Sequence, residues 1–332
     1  MEKNGKYLQY TLTAVIPIGL IWAVVKYVNG AEVWAALQRF QHIFLRFVLA
    51  LTLVIFLFKA WRFTVLMSPF SQDLPKLVVF KAFLAGQAAT LLPGGVASRI
   101  GLMKQADVPV SESSVPVLVH SGWDQAVFLL CALVVALWFP GARRPVLVIL
   151  GVLGIITLLL IVPPTRQWLG NLVERIASRF NHAEQWQRFL EAVPQVFTRQ
   201  IVIASFLITV VSLVVFTATL AITLRGFELS VSFPVLFLAV ILPTMLGRII
   251  PVPAGVGVTD ASMVGFLTTL GGLDTNITVA AVAVFRIVTI VFPALLGTLV
   301  YFFWWRGGKE LGGRDLQKSP SIEARYASPP DL

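Results

Sequence analysis

The residues of this sequence that could do chemistry are ionisable side chains in or beside apolar segments. Asp124, Asp260 and Arg286 lie in or next to such segments, and Arg99 and Arg248 flank two interruptions in them. A charge at the centre of a bilayer costs at least about 2.5–3.5 kcal/mol on insertion scales, so each charge needs a partner or water. We expect Asp260 to lie close to Arg286, which leaves Arg248 or Arg99 for an anionic group. Two purely structural ion pairs are the alternative.

Another pair of ionisable residues shares one helix face. His120 and Asp124 are one helical turn apart, so they could form a proton relay; alternatively, His120 only hydrogen-bonds a neighbour. Cys131 is the single cysteine, and no P-loop, GxSxG or HExxH motif is present. We therefore predict no catalytic residues, no metal site and no cofactor.

Two apolar segments are interrupted at corresponding positions. Both interruptions are rich in proline and glycine, with Pro93, Gly94 and Gly95 in the first and Pro253, Gly255 and Gly257 in the second. Because proline lacks an amide donor and glycine is flexible, each interruption ends a helix inside the apolar zone. Unpaired backbone at that depth must be buried in protein or line a wet cavity. A helix that restarts after the interruption directs its unpaired N–H groups into such a cavity, where they favour binding of an anion such as a lipid phosphate. Paired interruptions indicate a transporter site, although Gly and Pro can also merely kink or pack helices.

The predicted binding site combines both interruptions with the ionisable side chains around them. Its residues are Pro93, Gly94, Arg99, Asp124, Arg248, Gly255, Gly257, Asp260 and Arg286.

The composition indicates which kind of protein positions these residues. Of 332 residues, 57% are hydrophobic and 13% are charged, and the mean hydropathy is +0.85. A soluble domain usually carries about 25% charged residues and about 45–50% apolar ones. The sequence therefore predicts an integral membrane protein and excludes a soluble globule, a disulfide scaffold and a disordered chain. The net charge of +10 fits cytoplasmic loops better than nucleic-acid binding.

The expected fold class is all-α, a polytopic integral membrane helical bundle with seven to nine hydrophobic segments. Seven apolar runs and two interrupted ones occur, at 7–28, 43–58, 115–139, 146–162, 201–224, 233–250 and 277–305, and at 78–92 and 258–270. We expect a transmembrane domain over 1–305 with two similar halves, about 43–162 and 200–305, each containing a broken, re-entrant helix.

Orientation follows from the positions of Lys and Arg. The amphipathic linker at 163–199 and the polar tail at 306–332 are rich in them, so both are predicted to be cytoplasmic, with the N-terminus on the same side. A further basic cluster fits the cytoplasmic side if the first broken segment turns back; it contains Lys59, Arg62, Lys76 and Lys81.

Three stretches follow the pattern of a known family. Pro253-Ala-Gly-Val-Gly-Val-Thr-Asp260 is similar to its P-x-G-G-L-G-V-R-E segment, and Lys59-Ala-Trp-Arg-Phe63 to its R-x-W-R-W. Leu91-Leu-Pro-Gly94 with Asp124 is similar to its L-L-P-G-R-x-G-E … E-R-x-x-D stretch. The sequence thus resembles the lysylphosphatidylglycerol synthase transmembrane, or flippase-like, family, with Asp260 in place of Glu.

The resemblance implies a multi-pass protein of the bacterial cytoplasmic (inner) membrane that binds and translocates a lipid or a lipid-linked polar group. It assigns Asp124, Asp260 and Arg286 to the site. Bifunctional members add a soluble aminoacyltransferase domain, whereas only a short tail follows here, so we expect a stand-alone membrane domain. The leading hypothesis is a lipid translocase, not an enzyme, that binds an anionic head group between two broken-helix repeats.

Two alternatives remain. One is a membrane-embedded lipid-modifying enzyme with His120 and Asp124 as acid–base groups. The other is a non-catalytic scaffold of a membrane lipid or glycan biosynthesis complex. The expected partners are a membrane phospholipid or lipid-linked glycan and a lipid- or glycan-modifying enzyme. A homo-oligomer is compatible with the sequence, and no nucleic acid is expected.

Overall fold

The chain folds as a bundle of α-helices. The computed structural model describes residues 30–72, 74–90, 95–161, 183–249 and 255–305, and these described residues contain no strand. The all-α expectation is confirmed. The predicted span at 7–28, the residues Pro93 and Gly94, and the tail at 306–332 lie outside the described residues, as does the linker before Ala183.

Eleven helices make up the described chain, and four of them are long and apolar enough to cross a membrane by length and composition: α2, α5, α8 and α11. In chain order the helices are α1 (Gly30–Arg39), α2 (His42–Met67), α3 (Lys76–Gly86), α4 (Ser98–Gln105), α5 (Val110–Ala136), α6 (Arg143–Ile161), α7 (Ala183–Val196), α8 (Arg199–Gly226), α9 (Phe233–Ile249), α10 (Val258–Thr269) and α11 (Thr275–Trp304). Two π-helical turns widen α11, at Ile287–Val291 and Val300–Trp304.

Helix α2 is longer than the sequence predicts. The apolar run ends at residue 58 because Lys59 and Arg62 follow it, and both were assigned to a cytoplasmic cluster. In the structure α2 continues to Met67, and Ala60 and Phe63 extend its buried face. Arg62 is buried inside the bundle rather than exposed beyond the end of a span.

Two sets of four helices follow each other in the same order. Each set has a long helix, a shorter apolar helix, an interruption, a short helix and a second long helix: α2 to α5, then α8 to α11. The two first helices, α2 and α8, pack against each other. The second helix of each set packs against the last helix of the other set. Helix α3 packs against α11, and α9 packs against α5. We call these two sets of helices the first half and the second half of the described chain.

The helices that flank each interruption pack against each other as a hairpin. Helix α3 packs against α4, and α9 packs against α10, so the chain reverses at both points. Glycine permits the first reversal, because a Cβ on Gly95 would lie 1.8 Å from the carbonyl oxygen of Ala89. At the second, a Cβ on Gly247 would lie 3.2 Å from the Cα of Gly255, which itself has a φ of +65°.

The described part of the linker packs on the bundle. Helix α7 contacts α5, and it buries Ala192 and Val196 in a cluster with Leu66 and Val115. The apolar face of the described part of the amphipathic linker is therefore buried against the bundle.

Candidate functional site

A cavity of about 770 Å³, lined by both charged and apolar side chains, lies between the two halves. Its walls come from α2, α3, α5, α8, α9 and α11 and from the flanks of both interruptions. Five of its lining side chains carry a formal charge: Lys59, Arg99, Asp124, Arg248 and Arg286. Thr52, Gln87, Thr244 and Thr289 add neutral polar groups.

Asp124 lies between two guanidinium groups from different halves. Its Oδ1 is 2.5 Å from Nη1 of Arg62 on α2, and its Oδ2 is 3.4 Å from Nη2 of Arg248 on α9. The Asp124 side chain is 5% exposed. One carboxylate therefore bridges the first half of the protein to the second.

Arg62 joins three helices around this carboxylate. Its Nη1 also donates to Oγ1 of Thr209 on α8 at 2.5 Å, and its Nη2 donates to the carbonyl oxygen of His120 on α5 at 3.0 Å. The side chain is 1% exposed. A buried charge is tolerated when it is paired and its remaining donors are hydrogen-bonded, and Arg62 meets both conditions.

His120 contacts the same guanidinium with its ring. Nδ1 accepts from Nε of Arg62 at 3.4 Å, and Nε2 lies 3.1 Å from Nη2 of Arg62. The ring packs against Phe63 and Phe83. His120 and Asp124 are thus held by a shared cation, and the proton relay stays a prediction that requires Arg62 to move.

Asp260 fixes the second interruption. Its Oδ1 lies 2.5 Å from Nε of Arg286, which is the pair expected from the sequence. Its Oδ2 accepts the N–H of Gly257 at 2.7 Å, and Gly257 precedes α10 with a φ of +85°. The amide of Gly257, the residue that caps the start of α10, is therefore bound by the protein's own carboxylate rather than by an external anion. Gly257 positions Asp260, while Gly255 lines the cavity.

Arg99 lies beside the first interruption. It is 7% exposed, and its guanidinium carbon is 4.2 Å from the ring centroid of Phe83. Gly86 leaves room for it, because a Cβ there would lie 2.7 Å from Cγ of Arg99. Its Nε is buried and has no hydrogen-bond partner among the described residues.

Two further cations line the cavity. Lys59, half-buried on α2, has no ion pair or hydrogen bond with any residue that the structure describes. Arg248 is 34% exposed at its side chain, and its guanidinium carbon is 5.7 Å from the ring centroid of Phe128. Its contact with Asp124 is long, so Arg248 is the more accessible end of that ion pair.

The site as a whole is cationic. The described residues that line the cavity or contact its charged groups include five cations and two carboxylates, a formal charge of +3: Lys59, Arg62, Arg99, Arg248 and Arg286 against Asp124 and Asp260. Charges inside an apolar bundle need water or a counter-charge. This arrangement can bind an anion.

The structure brings most of the predicted site residues to one cavity. Asp260 contacts Arg286, and Gly257 contacts Asp260. The predicted residues that line the cavity itself are Arg99, Asp124, Arg248, Gly255 and Arg286. Sequence reasoning missed Lys59 and Arg62 as site residues. The available signal was their position, since both continue a helical pattern and fall in the Lys59-Ala-Trp-Arg-Phe63 stretch.

The helices and the polar interior together define a class, that of multi-pass helical membrane proteins. A family model described as Lysylphosphatidylglycerol synthase TM region matches residues 10–297, and the chain belongs to this family. The resemblance noted from the sequence is confirmed, and the family points to a function related to membrane lipids. The chain matches no curated protein.

Proposed function

We propose that the protein is a flippase-like translocase that binds the anionic head group of a lipid or lipid-linked substrate in the central cavity. The observation that carries the proposal is the formal charge of +3 around a cavity enclosed by apolar helices. Each charge inside the bilayer costs at least about 2.5–3.5 kcal/mol on insertion scales. An anionic ligand that neutralises these cations therefore offsets a large unfavourable free energy.

Apolar side chains at the edge of the cavity favour a lipid as the ligand. Leu118 lines the cavity and is 57% exposed, and Val96, which also lines it, is 43% exposed at the first interruption. Phe56 and Phe128 are further apolar lining residues. A head group can therefore bind the cations while its acyl chains remain against the apolar exterior.

The lengths of the hairpin helices support a re-entrant arrangement. Helix α3 with its 3₁₀ extension covers Lys76 to Ala89, or roughly 21 Å at about 1.5 Å per residue. A bilayer core is about 30 Å thick, so such a helix reaches the interior without crossing it. Gly95 and Gly255, one from each interruption, line the same cavity, and this supports a site of the kind found in transporters built from inverted repeats.

The bond between the two halves offers a mechanism for movement. Arg248 of the second half contacts Asp124 of the first at 3.4 Å and is partly exposed to the cavity. An anionic head group competes with Asp124 for Arg248, while Arg62 keeps the carboxylate neutralised. Binding of the substrate thereby loosens one link between the halves and favours their relative motion. No covalent chemistry is needed, and a gradient supplies the energy or the lipid moves downhill.

The setting that we propose is the bacterial cytoplasmic membrane with both termini in the cytoplasm. The proposed partner is a membrane phospholipid or lipid-linked glycan.

The test is mass spectrometry of lipids that co-purify with the full-length protein. We expect anionic lipids to be enriched over the surrounding membrane in wild type and in Lys104→Gln, which removes an exposed charge of α4 outside the cavity. Arg248→Gln is expected to lose the enrichment. Retained lipids that match the bulk membrane in every variant would contradict binding, and covalently altered lipids would favour the enzyme alternative.

A further inference from the structure

We propose that the cavity selects lipids whose head group is a phosphomonoester or a diphosphate over lipids whose only phosphate is a singly charged diester. The inference rests on the proposed function and specifies its substrate class. It follows from which cations remain after the carboxylates of the site have been paired.

Two of the five cations are neutralised by direct contacts. Arg62 and Asp124 are 2.5 Å apart, and so are Arg286 and Asp260. Arg248 has only the longer contact of 3.4 Å to a carboxylate that already binds Arg62. Lys59, Arg99 and Arg248 therefore hold the net positive charge of the cavity.

These three side chains belong to different helices. Lys59 comes from α2, Arg99 from α4 and Arg248 from α9, and all three line the same cavity. Arg99 is 7% exposed, and its buried Nε has no hydrogen-bond partner among the described residues. A polar group this buried calls for a ligand atom or water.

The charge of the ligand must match this set. A phosphodiester carries one negative charge on two free oxygens, so it neutralises one of the three cations. A phosphomonoester carries about −1.5 to −2 charges near neutral pH and presents three acceptor oxygens. A diphosphate adds a further anionic group. Three cationic donors on separate helices therefore fit a terminal phosphate or a diphosphate. A head group that carries an additional ammonium group would be repelled by the same unpaired cations.

The tail of the ligand distinguishes a lipid from a free phosphate. Phe56, Phe128 and Leu118 give the cavity apolar walls, and Leu118 is 57% exposed. Inorganic diphosphate has no apolar part that could be buried against these side chains, so it is expected to bind more weakly than a diphosphate with a prenyl chain.

The experiment measures dissociation constants of the purified full-length protein in detergent for four probes. They are farnesyl diphosphate, dioctanoyl phosphatidic acid, dioctanoyl phosphatidylglycerol and inorganic diphosphate. We expect the first two to bind at least about tenfold more tightly than phosphatidylglycerol, as one additional charge-assisted hydrogen bond would give.

Variants connect this ranking to the cavity. Lys59→Gln and Arg99→Gln are each expected to weaken farnesyl diphosphate about tenfold and phosphatidylglycerol less than about threefold. Lys59→Arg keeps the charge and is expected to keep the ranking, and Lys104→Gln is the matched control on the exposed face of α4. Unchanged thermal unfolding of the variants verifies that they are folded.

The outcomes separate the inference from the proposed function. Phosphatidylglycerol binding as tightly as the other two lipids, with all three weakened alike by the variants, overturns the inference and leaves the proposed function standing. Inorganic diphosphate that binds as tightly as farnesyl diphosphate overturns the assignment to a lipid. Failure of every anionic lipid to bind overturns both proposals.

Discussion

The ion pair between Arg62 and Asp124 is predicted to be the strongest single stabilising contact of the polar core. Asp124→Leu leaves the Arg62 guanidinium, which is 1% exposed, without its nearest counter-charge. Removal of one partner of a buried pair costs about 3–5 kcal/mol. We expect the free energy of unfolding to fall by that amount, although Arg62 keeps its bonds to Thr209 and to the carbonyl of His120.

The reverse substitution is expected to cost less. Arg62→Met leaves Asp124 with Arg248 at 3.4 Å, and the partly exposed Arg248 can move closer to it. The expected loss is about 1–3 kcal/mol, in the range of hydrogen bonds to charged groups. The double variant removes both buried charges, so its loss is expected to be smaller than the sum of the single losses by at least about 2 kcal/mol.

Equilibrium unfolding of the purified variants in lipid bicelles measures this coupling. The control cycle uses Gln41 and Glu228, an exposed pair with a hydrogen bond of 3.0 Å, for which a coupling below about 1 kcal/mol is expected. Additive losses at Arg62 and Asp124, within about 0.5 kcal/mol, would refute the reasoning, because they would mean that the two charges do not compensate each other.

Two further predictions concern the interruptions. Gly95→Ala places a Cβ 1.8 Å from the carbonyl oxygen of Ala89, so the yield of folded protein on size-exclusion chromatography is expected to fall sharply. A Cβ on Gly101 would have no neighbouring atom within 4 Å, so Gly101→Ala is expected to stabilise α4 by roughly 0.5–1 kcal/mol. Equal yields for both variants would contradict the close approach of Gly95 to Ala89. Asp260→Asn weakens the bond to Arg286 and the cap of α10, so hydrogen exchange at the start of α10 should rise; unchanged exchange would argue against the cap.

Local sequence features predict the helices and the place of the site. Pro93 and Pro253 mark the two interruptions, and the ionisable residues near them identify where polar groups enter the apolar zone. The pairing of Asp260 with Arg286 was predicted because a charge inside the apolar zone needs a partner or water, and the structure places these two side chains in contact.

Contacts between the halves could not be predicted in this way. Arg248 contacts Asp124 across 124 sequence positions, and nothing local to either residue encodes that distance. Arg62 was missed because a charged residue marks the end of an apolar run unless its buried partner, here 62 positions away, is known. Only the fold, which brings α2, α5 and α9 together, explains why these charges are stable there.

Transport in reconstituted vesicles tests whether the protein moves anionic lipids from one leaflet to the other. Protein-free vesicles that contain a head-group-labelled anionic lipid expose only the outer half of the label to a quencher that cannot cross the membrane. With the protein we expect nearly all of the label to be quenched, with Arg248→Gln close to the protein-free level and Lys104→Gln close to wild type. Quenching that stays at half with wild-type protein, for every anionic lipid tried, would contradict the account.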